Sequence, residues 1–218
     1  MDTERIKLVV MLGNPGKMYV ENRHNAGRLL SGSLPLALQW QSKFKGLYAA
    51  SSLPPEKIHF LLPETYMNLS GESVTAAAAY YKILPGEILV VHDELELPLG
   101  DAAFKQGGGL GGHNGLRSIK TCLGTADFWR LRIGIGRPGG KKDPNSDISG
   151  WVLSDFTAEE SDILRQVMEA CAGALFQALL HGPHSLLPRW NRMHICPPRT
   201  VRLTAAYAER LYRTERDA

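Results

Sequence analysis

The stretch Leu8-Val9-Val10-Met11-Leu12-Gly13-Asn14-Pro15-Gly16 decides how the chain is read. Five apolar residues without a charge predict a short buried strand. Gly13-Asn14-Pro15-Gly16 then ends it with turn chemistry, because Gly permits φ > 0 and Pro fixes φ. A strand that feeds a polar loop presents side chains at the carboxyl end of a sheet, where open α/β sheets keep their sites. This loop runs on to Asn22-Arg23-His24-Asn25, so Asn14, Tyr19, Arg23 and Asn25 surround a single histidine, His24. That histidine is the expected centre of the site.

The rest of the chain alternates in the same way. Ile58-His59-Phe60-Leu61-Leu62 predicts a strand ending at Pro63, and residues 42–53 alternate weakly as a further strand. Tyr66 to Gly71 forms a polar loop, and Ser70 is the expected cap of a helix through Ala76–Ala79, Tyr80 and Tyr81. Glu87 to Asp93 is a buried strand ending in a carboxylate, and Asp101 to Gln106 is a short edge strand. Gly107-Gly108-Gly109-Leu110-Gly111-Gly112-His113-Asn114-Gly115 opens a helix with Leu116, Ile119 and Leu123. Trp129 to Gly136 is a strand, Pro138 to Asp147 a polar basic loop, and Thr157 the N-cap of a helix reaching about Leu180. Strand, loop and helix in alternation give an α/β fold.

Composition sets the bounds. A chain of 218 residues with 44% hydrophobic and 22% charged content is long enough for one domain with a sizeable core. The longest apolar runs are too short to span a bilayer, and Met1 to Arg5 carries no signal-peptide pattern. Cys122, Cys171 and Cys196 have no CxxC spacing, which points to free thiols in a reducing cytoplasm. A net charge of +3 permits a nucleic-acid partner only if the charge is clustered.

Two GxGxxG matches, from Gly107 and from Gly134, lack the strand-then-helix setting of a dinucleotide site. Nucleophilic catalysis finds no Gly-x-Ser-x-Gly elbow. His92, Asp93 and His113 are conceivable metal ligands, but HxH, HExxH and paired cysteines are missing, so no metal and no cofactor is expected. The conjunction of groups carries more than any one residue. Strand ends deliver Asn14 with His24, Tyr66 with Asn68, and Asp93, while the glycine loop delivers His113 and Asn114. A histidine with a carboxylate partner and several amides is a general-base site with oxyanion donors. With no nucleophile in reach, the attacking group is water and the bond is an activated one such as an ester.

Taken together, Leu12-Gly13-Asn14-Pro15-Gly16, Arg23-His24-Asn25, Tyr66-Met67-Asn68-Leu69-Ser70-Gly71, His92-Asp93-Glu94-Leu95 and Gly111-Gly112-His113-Asn114-Gly115-Leu116 resemble the bacterial-type peptidyl-tRNA hydrolases. Leu131 to Gly139 extends the likeness, which covers roughly residues 7–180. The resemblance implies a monomeric α/β globule with a mixed twisted sheet surrounded by helices. It also implies cleavage of the ester between a peptide and the terminal ribose of tRNA, which recycles stalled peptidyl-tRNA in the cytoplasm. His24 is then the base, Asp93 its carboxylate, and Asn14 the residue that tells a blocked substrate from free aminoacyl-tRNA. Asn68 and Asn114 position substrate and water, Tyr19 and Tyr66 meet the tRNA end, and Met67 and His113 line the cleft. Lys105, Arg132 and Lys142 fall where the family binds tRNA phosphates, with Arg137 and Lys141 nearby. A non-catalytic RNA-binding paralogue and a hydrolase of some other small ester are the alternatives. Retention of His24, Asp93, Asn14, Asn68 and Asn114 speaks against the first.

The chain continues past the usual family end near Asn191. Residues 1–191 are read as the domain and 192–218 as a basic extension, in which six arginines outnumber Glu209, Glu215 and Asp217. Val201 to Arg213 is expected as a last, arginine-rich helix, and the extension as a solvated tail.

Overall fold

The computed structural model describes residues 5–53, 56–139 and 146–195. Lys141, Lys142 and the helix expected from Val201 lie outside these residues. The strands are β1 (Leu8–Met11), β2 (Gln41–Lys43), β3 (Gly46–Leu53), β4 (Glu56–Pro63), β5 (Ile88–Glu94), β6 (Asp101–Gln106), β7 (Trp129–Gly134) and β8 (Met193–His194). They form one mixed sheet in the order β2-β3-β4-β1-β5-β7-β6-β8. The helices are α1 (Ala26–Leu29), α2 (Ser70–Tyr81), α3 (Asn114–Leu123), α4 (Ile148–Leu153), α5 (Ala158–His181) and α6 (Leu187–Trp190), with short 3₁₀ turns between.

Strand β1 shows why its sequence has no polar alternation. Leu8, Val10 and Leu12 join one buried cluster with Val74 and Ala77 of α2 and Leu116 and Ile119 of α3. Val9 and Met11 join the other, with Leu164, Val167 and Leu175 of α5. A strand covered on both faces needs apolar residues at every position. β4, β1, β5 and β7 run parallel, so their carboxyl ends open on one edge of the sheet. That edge carries the loops after β1, β4 and β5, while the glycine loop leaves antiparallel β6 at the other edge and reaches this one at His113.

Several elements differ from expectation for local reasons. Ser70 begins α2 but its hydroxyl donates to the Met67 carbonyl at 2.8 Å, so it closes the preceding turn and does not cap the helix. Thr157 does cap α5, in a reciprocal capping box with Glu160. α5 is long and apolar enough to cross a membrane by length and composition, although its apolar content is spread among Glu169, Gly173 and many alanines. Its Leu164, Val167, Cys171 and Leu175 stripe is packed into the core. β6 is not the sheet edge, because β8 pairs with it. Arg192 to Ile195 thus run along the sheet: buried Asp101 accepts from Arg192 Nε at 2.8 Å and from His194 Nδ1.

α4 and the start of α5 are tied to the His24 turn by one side chain. Arg23 is 3% exposed and stacks on Trp151 at 3.8 Å, with Phe156 at 4.9 Å. Its Nη2 donates to Glu160 at 2.7 Å and its Nε to Ser154 at 3.2 Å. Asn22 adds a bond to Asp155 at 2.5 Å. A guanidinium does this because its planar fork can stack and donate at once.

Two outcomes follow from this packing. Arg23→Ala leaves a cavity and takes the cation away from Glu160, which keeps only its capping bond from the Thr157 N–H, and should lower stability by about 2–4 kcal/mol in urea titrations. The second concerns His59, whose Nδ1 lies 2.7 Å from the Tyr48 hydroxyl and whose ring stacks on Tyr81 at 3.9 Å. Burial, helped by Lys57 and Lys43, pulls its pKa down to about 4. As pH falls below the ordinary histidine value of ~6.5 the unfolded chain takes up this proton first, so stability drops by up to ~1.4 kcal/mol per pH unit. The loss continues until the native ring also protonates, near pH 4. His59→Gln should flatten that slope in thermal melts run between those two pH values.

Candidate active site

At the carboxyl end of β5 the carboxylate of Asp93 is 3% exposed and lies between two imidazoles. His24 Nδ1 is 2.9 Å from Oδ1 and 3.0 Å from Oδ2. His113 Nε2 is 3.0 Å from Oδ1. The two rings are 4.9 Å apart, tilted by 46°. Hydrogen bonding assigns the protons. His113 caps α3, its Nδ1 accepting from Gly115 N at 3.1 Å and Leu116 N at 3.4 Å. Its one proton is therefore on Nε2 and points at Asp93. His24 likewise gives its Nδ1 proton to Asp93, which leaves the Nε2 lone pair free.

Burial pushes the Asp93 carboxyl up, but the charges and hydrogen bonds of His113 and His24 outweigh it and hold the group well below the usual carboxylate range. Asp93 is an anion throughout the neutral range. Behind it, His92 is fully buried, donates Nδ1–H to the Asp93 carbonyl at 2.7 Å and meets the His113 ring edge-on. Burial first, and the adjacent His113 second, keep its pKa low and the ring neutral.

His24, Asp93 and His113 also offer three metal-ligand atoms within 4.8 Å of one another. The donor set does not fit a metal. His113 takes backbone N–H groups on one nitrogen, so ligation through the other would require it to surrender its only proton. The group is ordered for holding protons.

Asn14 is fixed from three sides. Its N–H donates to Asn25 Oδ1 at 2.8 Å, its carbonyl accepts from Asn25 Nδ2 at 3.0 Å, and its Oδ1 accepts from Met67 N at 2.8 Å. This orients the side-chain amide and leaves its Nδ2 protons unclaimed among the described residues. Met67 is buried, and a Cβ at position 115 would come within 2.6 Å of its sulfur, so any larger residue there would make the Met67 side chain shift. Asn68 and Asn114 are exposed and share a hollow with Arg117 and Ser118. Asn114 also lines the main cleft of about 440 Å³, with His24, Asp93, His113, Leu110, Ile148 and Val152. Asn14 lines a separate hollow of about 490 Å³ with Lys17, Asn25 and Arg28. Tyr66 is 63% exposed and Tyr19 half-buried, each on its own loop at this edge.

The cations are less uniform. Lys105 is exposed on β6, and its Nζ is 3.3 Å from where a Cβ on Gly108 would lie. Arg132 donates to Glu94 at 3.0 Å, so its charge is largely matched. Arg137 is paired with Glu96 at 2.5 Å. The structure thus brings His24, Asp93, His113 and Asn114 to one cleft, ties Asn14 to it through Asn25 and Met67 while leaving Asn14 in a separate hollow, and places Asn68 beside Asn114 in a third; Tyr66 and Tyr19 stand on loops of the same edge. Sequence reading assigned no task to Asn25, Arg23, Glu94 or His92. Asn25 and Arg23 stood next to His24 in a dense polar loop, and two polar neighbours there were a usable signal.

A sequence model of the family described as peptidyl-tRNA hydrolase matches residues 8–197. The peptidyl-tRNA hydrolase of Desulfitobacterium hafniense is 42% identical over 189 residues, covering 86% of this chain and 100% of that protein. That of Neisseria meningitidis serogroup C is 47% identical over 192 residues, 85% of this chain and 93% of its own length. Among solved structures, the peptidyl-tRNA hydrolase of Acinetobacter baumannii superposes with a TM-score of 0.79 at 35% identity, covering 88% of this chain and 97% of that one. With the fold, the histidine–carboxylate site and these relatives in agreement, the chain belongs to the peptidyl-tRNA hydrolase family.

Proposed function

We propose that the chain hydrolyses the ester between peptide and tRNA 3′-terminal ribose with His24 as general base, held by Asp93. The observation that carries this reading is the contact of His24 Nδ1 with the buried Asp93 carboxylate at 2.9 Å: the anion accepts from Nδ1–H, which leaves Nε2 as a lone pair at the cleft. Nε2 takes a proton from water as the oxygen attacks the ester carbonyl. The imidazolium that forms is stabilised by the Asp93 anion. Collapse of the tetrahedral intermediate breaks the bond to the ribose oxygen, which receives the proton back from His24.

His113 is a second, fixed donor to the same carboxylate. It keeps Asp93 aligned when His24 changes charge. Asn14, with its amide protons left for a ligand, and Asn68 and Asn114 at the rim suit a peptide backbone, since amides bind it without adding charge. A free α-ammonium among such donors would be left unpaired, which favours the N-blocked substrate. Lys105 is the exposed cation best placed to hold a tRNA phosphate, followed by Arg132; Lys142 is proposed for the same part on the family resemblance alone. We also propose that it works in the cytoplasm as a monomer, without a cofactor or a membrane.

Release of peptide from N-blocked against unblocked aminoacyl-tRNA tests the reading. His24→Ala should lower turnover by ~10²–10⁴-fold with tRNA affinity retained; activity within a few-fold of wild type would remove His24 from the mechanism. The RNA contacts have their own readout. Lys105→Ala should weaken binding across tRNA species and lower the slope of log affinity against log salt by about 1. Arg132→Ala should change that slope less, because Glu94 already matches its charge. An unchanged slope for Lys105→Ala would place the RNA elsewhere.

A further inference from the structure

Arg130 is a buried cation on β7 to which the site reading gives no part. It is 1% exposed, and its hydrogen bonds go to backbone carbonyls. Nη1 donates to the Gly109 carbonyl at 2.9 Å and Nη2 to the Gly107 carbonyl. Burial pulls the guanidinium pKa down, and neighbouring Arg132 adds to this while Glu94 opposes it. Burying a guanidinium is costly unless its donors are met. Here the two arms of one planar fork meet two carbonyls of a single loop, while Nε has no hydrogen-bond partner among the described residues.

That loop needs an anchor. Gly107, Gly108, Gly111 and Gly112 all have positive φ, and such a segment loses much backbone freedom when it orders. Its other ties are Gly107 N to the Phe128 carbonyl at 3.1 Å and His113 N to the Leu110 carbonyl at 3.0 Å. The loop ends at His113, whose Nε2 proton points at Asp93. We propose that Arg130 is a positioning residue for the hydrolysis: it pins the Gly107–Gly109 turn so that the chain delivers His113 to Asp93 at hydrogen-bonding distance.

The inference rests on the reading of His24, Asp93 and His113 as the site. The test uses two variants of the full chain. Arg130→Met keeps volume but leaves both carbonyls unpaired. Arg130→Lys keeps the charge, with a point donor that serves one carbonyl at a time. With N-blocked aminoacyl-tRNA, kcat should fall by about tenfold or more in the Met variant and less in the Lys variant, with KM within about twofold of wild type. His113→Ala added to either variant should cost much less than it does alone, because both act on Asp93 through one side chain. In nitrogen NMR the His113 ring of wild type should show a bare Nδ1 and a protonated Nε2, and this pattern should shift or broaden in Arg130→Lys. Wild-type kcat in a folded Arg130→Lys protein, a rise in KM at constant kcat, or fully multiplicative effects with His113→Ala would each overturn the inference. If the Met variant does not fold, the Lys variant and its NMR signature decide. His24→Ala in the same assay separates the two levels: loss there with wild-type kcat in Arg130→Lys overturns the Arg130 inference alone.

Discussion

The carboxylate of Asp93 is the constraint around which the carboxyl edge of the sheet is arranged. An anion that is 3% exposed is expensive to bury, and it persists because donors reach it from two different layers. His24 arrives from the turn after β1, on the side covered by α1 and α5. His113 arrives from the start of α3, on the opposite side. Each ring is fixed by what its other nitrogen does. For His113 that is two backbone N–H groups, so its donation to Asp93 is permanent. For His24 it is nothing among the described residues, and on the proposed reading this asymmetry separates a structural imidazole from a reactive one. Two histidines touch one carboxylate, and only one can change its proton without breaking a helix cap.

The sheet order makes this convergence possible. β4, β1 and β5 are adjacent and parallel, so the loops after them carry Met67, Asn14 and Asp93 to one place. The Met67 N–H to Asn14 Oδ1 bond then stitches the β4 loop to the β1 loop. Asn25 stitches the β1 loop to the turn that holds His24, and Arg23 fastens that turn to α4 and α5. Few of these links lie within one element. The site is a set of loop-to-loop hydrogen bonds on a rigid parallel frame, a common arrangement where chemistry needs precise placement.

Much of this was legible in the sequence because its signals are local. A charge-free run before Gly13-Asn14-Pro15-Gly16 names a buried strand, and a strand ending in His92-Asp93 names a carboxylate at a sheet edge. The motifs that resemble the family imply positioning roles for Asn68 and Asn114. What stayed hidden depends on partners far along the chain. Arg132 reads as a free cation until Glu94, 38 residues away, is seen to hold it. Asp101 to Gln106 reads as an edge strand until Met193–His194 is found beside it. Ser70 has the composition of a helix cap, yet the Met67 carbonyl claims its hydroxyl. The direction of a proton on His113 cannot be read from residue type at all, since it follows from the two amides its ring accepts.

The distribution of charge on β5 and β7 bears on how such a protein can meet RNA at a net charge of only +3. Alternation places His92 and Glu94 of β5 on the same face as Arg130 and Arg132 of β7, the face covered by α2 and α3. Arg130 is sealed beneath the glycine loop and its charge is spent on carbonyls. Arg132, one step toward the open edge, is matched by Glu94. Lys105, beside Arg130 in register on β6, remains exposed over Gly108. Neighbouring cations on this face thus differ in kind: Arg130 is structural, Arg132 is matched, and Lys105 is accessible. Glu94 also accepts the Glu96 N–H at 3.1 Å, so the carboxylate that tempers Arg132 shapes the rim of the main cleft as well. A phosphate drawn to Lys105 therefore meets that charge near the amino end of β7, whereas Asp93, His24 and His113 stand together at the carboxyl end of β5. On the proposed reading, binding charge and reacting groups are kept apart, so that electrostatic attraction for the nucleic acid does not perturb the base.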